Sequence, residues 1–332
     1  MKKNKAFSLV ELSVVILIIG ILVAGVTQSG RLIRQIKLST ARSITSSSDV
    51  ASIRDITAWF EASTEGVFTD INGNTDVEDK VQIDYWRDTN PQKSKGDKPQ
   101  LANSATNAKP KYVSSGINGI PSVYFDGGAN KAGAFPSDAT PDYIYSTDGP
   151  TMPLISKDKT YSMFAVFRAD IGKVNNTSII TQIGANDAAN SPQSFASIGF
   201  IGSANDKGLP GFISGPDKAS SWVKGTAIND QTDYIVGALV DFVAPSPVGK
   251  SSVKLFVNSL TPVNEDTYDS KTTYVSTDVI ANKFSIGGNA GSTPANHFTG
   301  LISEVIIFDR KLKDEEAQSV MKYLRKKYNI LN

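Results

Sequence analysis

Cysteine is absent from the 332 residues, and histidine occurs once, at His297. The first absence removes disulfide staples, thiolate metal ligands and thiol nucleophiles. The second leaves little from which to assemble a histidine-based acid–base or nucleophilic constellation. An excess of either charge is missing too: 34 Lys and Arg against 33 Asp and Glu give a formal net charge of +1. A nucleic-acid partner would call for a domain-wide basic excess, so none is expected. Stability must come from packing, and a chain of this length with 40% hydrophobic residues has enough material for a core.

What the chain does have is one long apolar run. FSLVELSVVILIIGILVAGV, Phe7 to Val26, carries a single charge, Glu11, behind the basic leader MKKNKA. As a helix it would rise about 30 Å, the thickness of a bilayer's hydrocarbon core, which suits a membrane anchor. An ordinary secretory signal would need a shorter apolar stretch and a small-residue cleavage site beyond it, for which Ala24 and Thr27 offer only a weak version. A carboxylate in the first turns of a spanning helix costs about 3 kcal/mol and asks for a partner. A cut between Ala6 and Phe7 would supply one, because the freed α-amino group of Phe7 would pair with Glu11 of a neighbouring helix in a low-dielectric bundle.

The segment KNKAFSLVELSVVILIIGILVAG has a short basic leader, a small residue, Phe7, and a glutamate at the fifth place of the cleaved chain. It resembles the processing and assembly signal of type IV pilins and type II secretion pseudopilins. That resemblance implies cleavage after Ala6 and N-methylation of Phe7 by a prepilin peptidase/N-methyltransferase on the cytoplasmic side. It also implies passage from the inner membrane into a filament, with other pilin or pseudopilin subunits as partners through this helix. Methylation keeps the positive charge of the amine. Two features depart from the pattern: Ala6 stands where Gly is usual, and Gly25 to Gly30 contains glycines but no proline. Lys2, Lys3 and Lys5 precede the run and Arg31, Arg34, Lys37 and Arg42 follow it, so charge does not decide orientation. The resemblance places the leader inside and the head outside a single-pass precursor. The assembled subunit would then sit in a pilus or pseudopilus, periplasmic or at the cell surface.

Past the span, Ile33, Ile36, Thr40 and Ile44 recur near a period of 3.6. The pattern predicts one continuous helix from about Phe7 into the forties or low fifties, its second half packed against the head, with Ser46 to Ser48 as a weak break. The expected divisions are a leader over 1–6, a helix and linker over 7–54, and a head over 55–332. In the head, alternation marks YSMFAVFRA (161–169), SIITQI (178–183), YIVGALVDFV (234–243), SVKLFVNS (252–259), KFSIGG (283–288) and GLISEVIIFDR (300–310). Gly, Pro, Asn and Asp clusters separate these runs, which predicts a mainly antiparallel β-sandwich. In KDEEAQSVMKYLRKKY, Ala317, Val320, Met321 and Leu324 form one apolar face, acids open the segment and bases close it. That is a C-terminal α-helix.

DITAWFEAS (55–63), YWRD (85–88), KPKYVSSGINGIPSVYFDGG (109–128), FSIGG and HFTGLISEVIIFDRKLKDEEAQSVMKYLRKKY occur in that order. Together they resemble the laminin G-like or concanavalin A-like jelly-roll family over about 55 to 332. The resemblance speaks to fold, because such sandwiches host lectins, adhesion modules, hydrolases and spacers.

Trp59 and Trp86 read as core residues. Trp222, in polar DKASSWVKGT, reads either as an exposed ring able to stack on a sugar or aromatic ligand or as a residue closing one end of the sandwich. In FTDINGNTDVED, Asp70, Asn72, Asn74 and Asp76 alternate as oxygens do in a calcium loop, and some members of the resembled family bind calcium near the sandwich rim. Val81 occupies the twelfth place from Asp70, so the run is no EF-hand. Jelly-roll glycoside hydrolases set two carboxylates about 5 to 9.5 Å apart. Glu304 and Asp309, the nearest pair in sequence, fall on opposite faces of a strand. The chain is therefore expected to be no enzyme but a minor pilin-like subunit whose head serves adhesion, with a glycan or surface protein as ligand. A pseudopilin-like component of a type II secretion system is the alternative, and a filament-displayed glycan hydrolase the third reading.

Overall fold

The structure, a computed structural model, describes residues 9–103, 108–127, 141–146, 160–170, 177–183, 196–201, 209–214, 222–241, 250–269, 284–288 and 297–330. The cleavage site at Ala6 and Phe7 lies outside them.

Helix α1, Leu9–Ser46, runs unbroken through Gly25 and Gly30. It stops at the serines, whose hydroxyls turn back on the final carbonyls: Ser47 Oγ donates to Ser43 O (2.7 Å) and Ser48 Oγ to Thr45 O (2.9 Å). Such side-chain bonds compete with continuation of the helix, and a separate 3₁₀ turn follows at Asp49–Ser52. The expected packing of the second half of α1 against the head is observed only in its last turns. Leu32, Ile33 and Ile36 remain 57%, 52% and 56% exposed, and Ala41 is the first deeply buried residue of the helix. Contact with the head is confined to the stretch from Lys37 on, where Ala41 and Ile44 join the apolar core and Lys37, Arg42 and Thr45 make polar contacts.

The head consists of two antiparallel sheets. The first runs β15 (Asn264–Asp269), β14 (Lys250–Val257), β13 (Asp233–Asp241), β8 (Tyr161–Ala169), β17 (Thr299–Phe308), β6 (Ser122–Asp126) and β5 (Lys111–Val113). β1 (Ile56–Glu61) lies end to end with β6 along β17, pairing with Glu304 to Phe308 while β6 takes Thr299 to Ile302. The second runs β12 (Trp222–Lys224), β11 (Pro210–Ser214), β10 (Ala196–Ile201), β9 (Thr177–Ile183), β16 (Phe284–Ile286), β7 (Ile144–Ser146), β4 (Gln100–Ala102), β3 (Ile83–Arg87) and β2 (Phe68–Asp70). Every run read as a strand from its alternation lies in one of these sheets.

One core fills the space between the sheets, with Phe60, Trp86, Phe125, Phe167, Phe200 and Phe298 among its members. A second core lies on the outer face of the first sheet, where Trp59, Phe164, Ile306 and Phe308 meet Ala317, Val320, Met321 and Leu324 of α2 (Asp314–Tyr328). The first sheet is thus buried on both faces, which explains the near-continuous apolar runs of β8 and β13. Gly300 lets β17 pass close to β8: at φ +145° its place would put a Cβ 2.1 Å from Arg168 O. Helix α2 opens on Asp314, Glu315 and Glu316 and ends with Asn329 in the left-handed region (φ 49°).

Candidate functional site

Glu11 lies in the first turn of α1. Among the described residues this is the one helix long and apolar enough to cross a membrane, and its apolar window is 0% buried by the head. The anchor and assembly surface therefore stands clear of the sandwich.

Where α1 meets the head, Lys37 Nζ donates to Asn118 O (3.1 Å) and Arg42 Nε to Ser63 O (2.7 Å). Arg42 also pairs with Glu65. Deeper in, Thr45 Oγ1 and Tyr323 OH are 3.1 Å apart, and Tyr323 donates to Glu304 Oε1 at 2.8 Å. This leads to a charge cluster sealed from solvent. Lys327 Nζ lies 2.5 Å from Glu61 Oε1 and 2.8 Å from Glu304 Oε2, all three side chains at 0% exposure. Glu304 also accepts from Trp59 Nε1 (2.7 Å) and Tyr328 OH (2.9 Å). Glu61 accepts from the backbone of Ser63 and Thr64, both at 2.8 Å.

Burial alone would raise the Glu61 carboxyl, but the Lys327 charge and hydrogen bonds from Lys327, Ser63 and Thr64 bring it below the ordinary range. Glu304 goes the other way: burial raises it, Lys327 offsets only part, and the Glu61 charge raises it further. Burial holds both Tyr323 and Tyr328 well above an ordinary tyrosine. Sequence reasoning missed this cluster, although it left a signal. Lys327 continues the apolar face of α2 at three residues beyond Leu324, and Glu304 interrupts the apolar run of β17.

The expected metal-loop residues are partly brought together. Asp70 Oδ1 accepts from the backbone of Asn72 and Asn74, both at 2.8 Å, and Oδ2 from Asn74 Nδ2 at 3.0 Å. The Asn74 side chain foremost holds the Asp70 carboxyl below its ordinary range. Asp76 is exposed. Among the described residues no three His, Cys, Asp or Glu gather as a metal site.

Trp222 lies in β12, in register with Ile213 of β11. Its partner strand is the short PGFIS segment, and its side chain lies outside the described residues. Trp59 and Trp86 are core residues as expected, at 2% and 0% exposure. His297 is 8% exposed with its ring 5.5 Å from that of Tyr143, which stacks on Tyr145 at 5.8 Å. Tyr145 belongs to a cross-strand row on the outer face of the second sheet: Tyr85, Ala102, Tyr145 and Ser285. The backbone register from Ser285 continues to Gln182 and Ser197.

Residues 1–27 match the prokaryotic N-terminal methylation motif. This motif implies processing by a prepilin peptidase and assembly with other pilins, and with the exposed apolar helix it fits a membrane-anchored precursor. No curated protein matches the chain in sequence. Among solved structures it is similar to domain 4 of the arabinanase AbnA from Geobacillus stearothermophilus, at 14% identity over 80% of this chain and 98% of that one, with a TM-score of 0.47. It is also similar to the CBM40 of Ruminococcus gnavus IT-sialidase (15%, 49% and 82%, TM-score 0.37) and to a Trypanosoma rangeli sialidase (12%, 82% and 33%, TM-score 0.44). At TM-scores below 0.5, none of these likenesses bears on what the head binds.

Proposed function

We propose that the chain is a minor pilin-like filament subunit, cleaved after Ala6, N-methylated at Phe7, and displaying a laminin G-like β-sandwich head for adhesion or ligand binding. The supporting observation is the combination of the methylation motif at 1–27 with an apolar helix left wholly uncovered by its own head. Such a surface needs a membrane first and other subunits afterwards. Glu11 is the assembly residue, pairing with the Phe7 amine of a neighbouring subunit. The ligand face is the outer side of the second sheet around Tyr143 and Tyr145, whose stacked rings suit a glycan or an aromatic protein side chain. The head is read as non-enzymatic: the close carboxylates Glu61 and Glu304 sit at zero exposure, where no substrate reaches them.

The test is shearing of cells expressing the wild type and Glu11→Ala. The head is expected in the sheared-filament fraction of the wild type and depleted there in the variant, with leader cleavage unchanged. Equal recovery of the two would remove the assignment of Glu11. Recovery of the head in a secretion pseudopilus rather than a pilus would favour the pseudopilin reading.

A further inference from the structure

The Glu61–Lys327–Glu304 cluster is more than a buried ion pair in its composition: two carboxylates flank one ammonium, and all three are fully buried. A buried ion pair needs one partner per charge, and desolvation makes the surplus charge expensive to keep. The two carboxylates are held differently. Each oxygen of Glu61 receives a backbone N–H, Ser63 N on Oε1 and Thr64 N on Oε2, both at 2.8 Å. Those donors already hold the carboxylate charge and fix both oxygens in place beside Lys327. Glu304 is gripped by Trp59, Tyr323 and Tyr328 and keeps Oε2 2.8 Å from Lys327 Nζ, within reach for proton transfer.

We propose that Lys327 and Glu61 condense to an intramolecular amide joining helix α2 to strand β1, with Glu304 as the proton relay. Glu304 takes a proton from the Lys327 ammonium, and the freed lone pair attacks Glu61 Cδ to form the C–N bond. The Ser63 and Thr64 N–H groups hold the tetrahedral oxyanion. Glu304 passes the first proton to a Glu61 oxygen, then a second from the nitrogen, and the C–O bond breaks with release of one water. Carboxylate plus ammonium gives amide plus water, so no external reagent and no net proton are needed. The contact of Lys327 Nζ with Glu61 Oε1, at 2.5 Å, holds the nitrogen beside the carboxyl group, and the sealed interior withholds the bulk water that would reverse the step. The product replaces one buried ammonium and one buried carboxylate by a neutral amide.

The bond would sit where load enters the head. Tension along a filament reaches the head through α1 and the segment after it, and β1 is the first strand that segment feeds. A covalent tie from the end of β1 to α2 would hold that strand in a protein that has no cysteine to staple it.

The test is the intact mass of the full-length chain purified from membranes in detergent. A mass about 18 Da below that of the uncrosslinked chain with the same N-terminus is expected. Trypsin should then release a branched peptide joining residues 55–80 to residues 327–332, and Glu304→Gln should restore the uncrosslinked mass. A wild type at its full mass overturns the proposal without recourse to any variant. A branch at 284–310 instead, or a crosslink that persists in Glu304→Gln, overturns the assigned roles.

Discussion

Thr45, in the last turn of the anchor helix, places its hydroxyl 3.1 Å from that of Tyr323 on the closing helix, and Tyr323 in turn donates a hydrogen bond to Glu304. The end of the anchor helix is thereby tied to the buried charge cluster as well as packed on the apolar core through Ala41 and Ile44. Tyr323→Phe removes a donor from a buried carboxylate and should destabilise the chain by about 1–3 kcal/mol. Thr45→Val removes only the outer member and should cost about 1 kcal/mol. Thermal unfolding in detergent checks both; equal losses for the two variants would mean that the chain of hydroxyls does not lead inward.

Asp88 gives a pH dependence of definite sign. Its Oδ1 accepts from the backbone of Trp59 and Asn90, both at 2.8 Å, while buried Oδ2 has no hydrogen-bond partner. Burial raises its carboxyl from 3.8 to about 6. A carboxyl raised on folding contributes stability that is fully present below 3.8 and lost as pH rises through about 6. The loss amounts to about 3 kcal/mol at neutral pH. Asp88→Asn keeps the Oδ1 acceptor and removes the charge. The variant should melt above the wild type at pH 7.5 and level with it near pH 4, whereas a gap independent of pH would refute the burial argument.

The outer face of the second sheet offers a binding test. Tyr145→Ala removes half of the stacked pair without entering the core, since its strand neighbours Ile144 and Ser146 keep their places. Binding of the full chain to host-surface glycans or proteins should fall by about tenfold, consistent with loss of one aromatic contact of 1–1.5 kcal/mol, while the melting temperature stays close to wild type. Undiminished binding would move the ligand face elsewhere.

The legible parts of the fold were those with long periodic patterns. β8 and β17 announce themselves because the first sheet is covered on both sides, and α2 because Ala317, Val320, Met321 and Leu324 repeat on one face. The serine break after α1 left only a weak mark in the sequence. The second sheet was harder, because β2, β4 and β7 have three residues each, too few to display alternation. The strand that carries Trp222 was hidden for the same reason: its partner β11 is a short strand opened by a proline. The buried cluster was hidden by distance along the chain. Nothing local to Glu61 indicates that β1 will pair with β17 and so bring it against Glu304 and Lys327.

The measurement that bears most directly on the filament reading is the N-terminus of the protein recovered from sheared filaments of its own host. Sequencing with intact-mass determination should find a chain starting at N-methylated Phe7. An uncut Met1, or a start beyond Ala24, would contradict it and make the apolar helix an ordinary anchor or export signal.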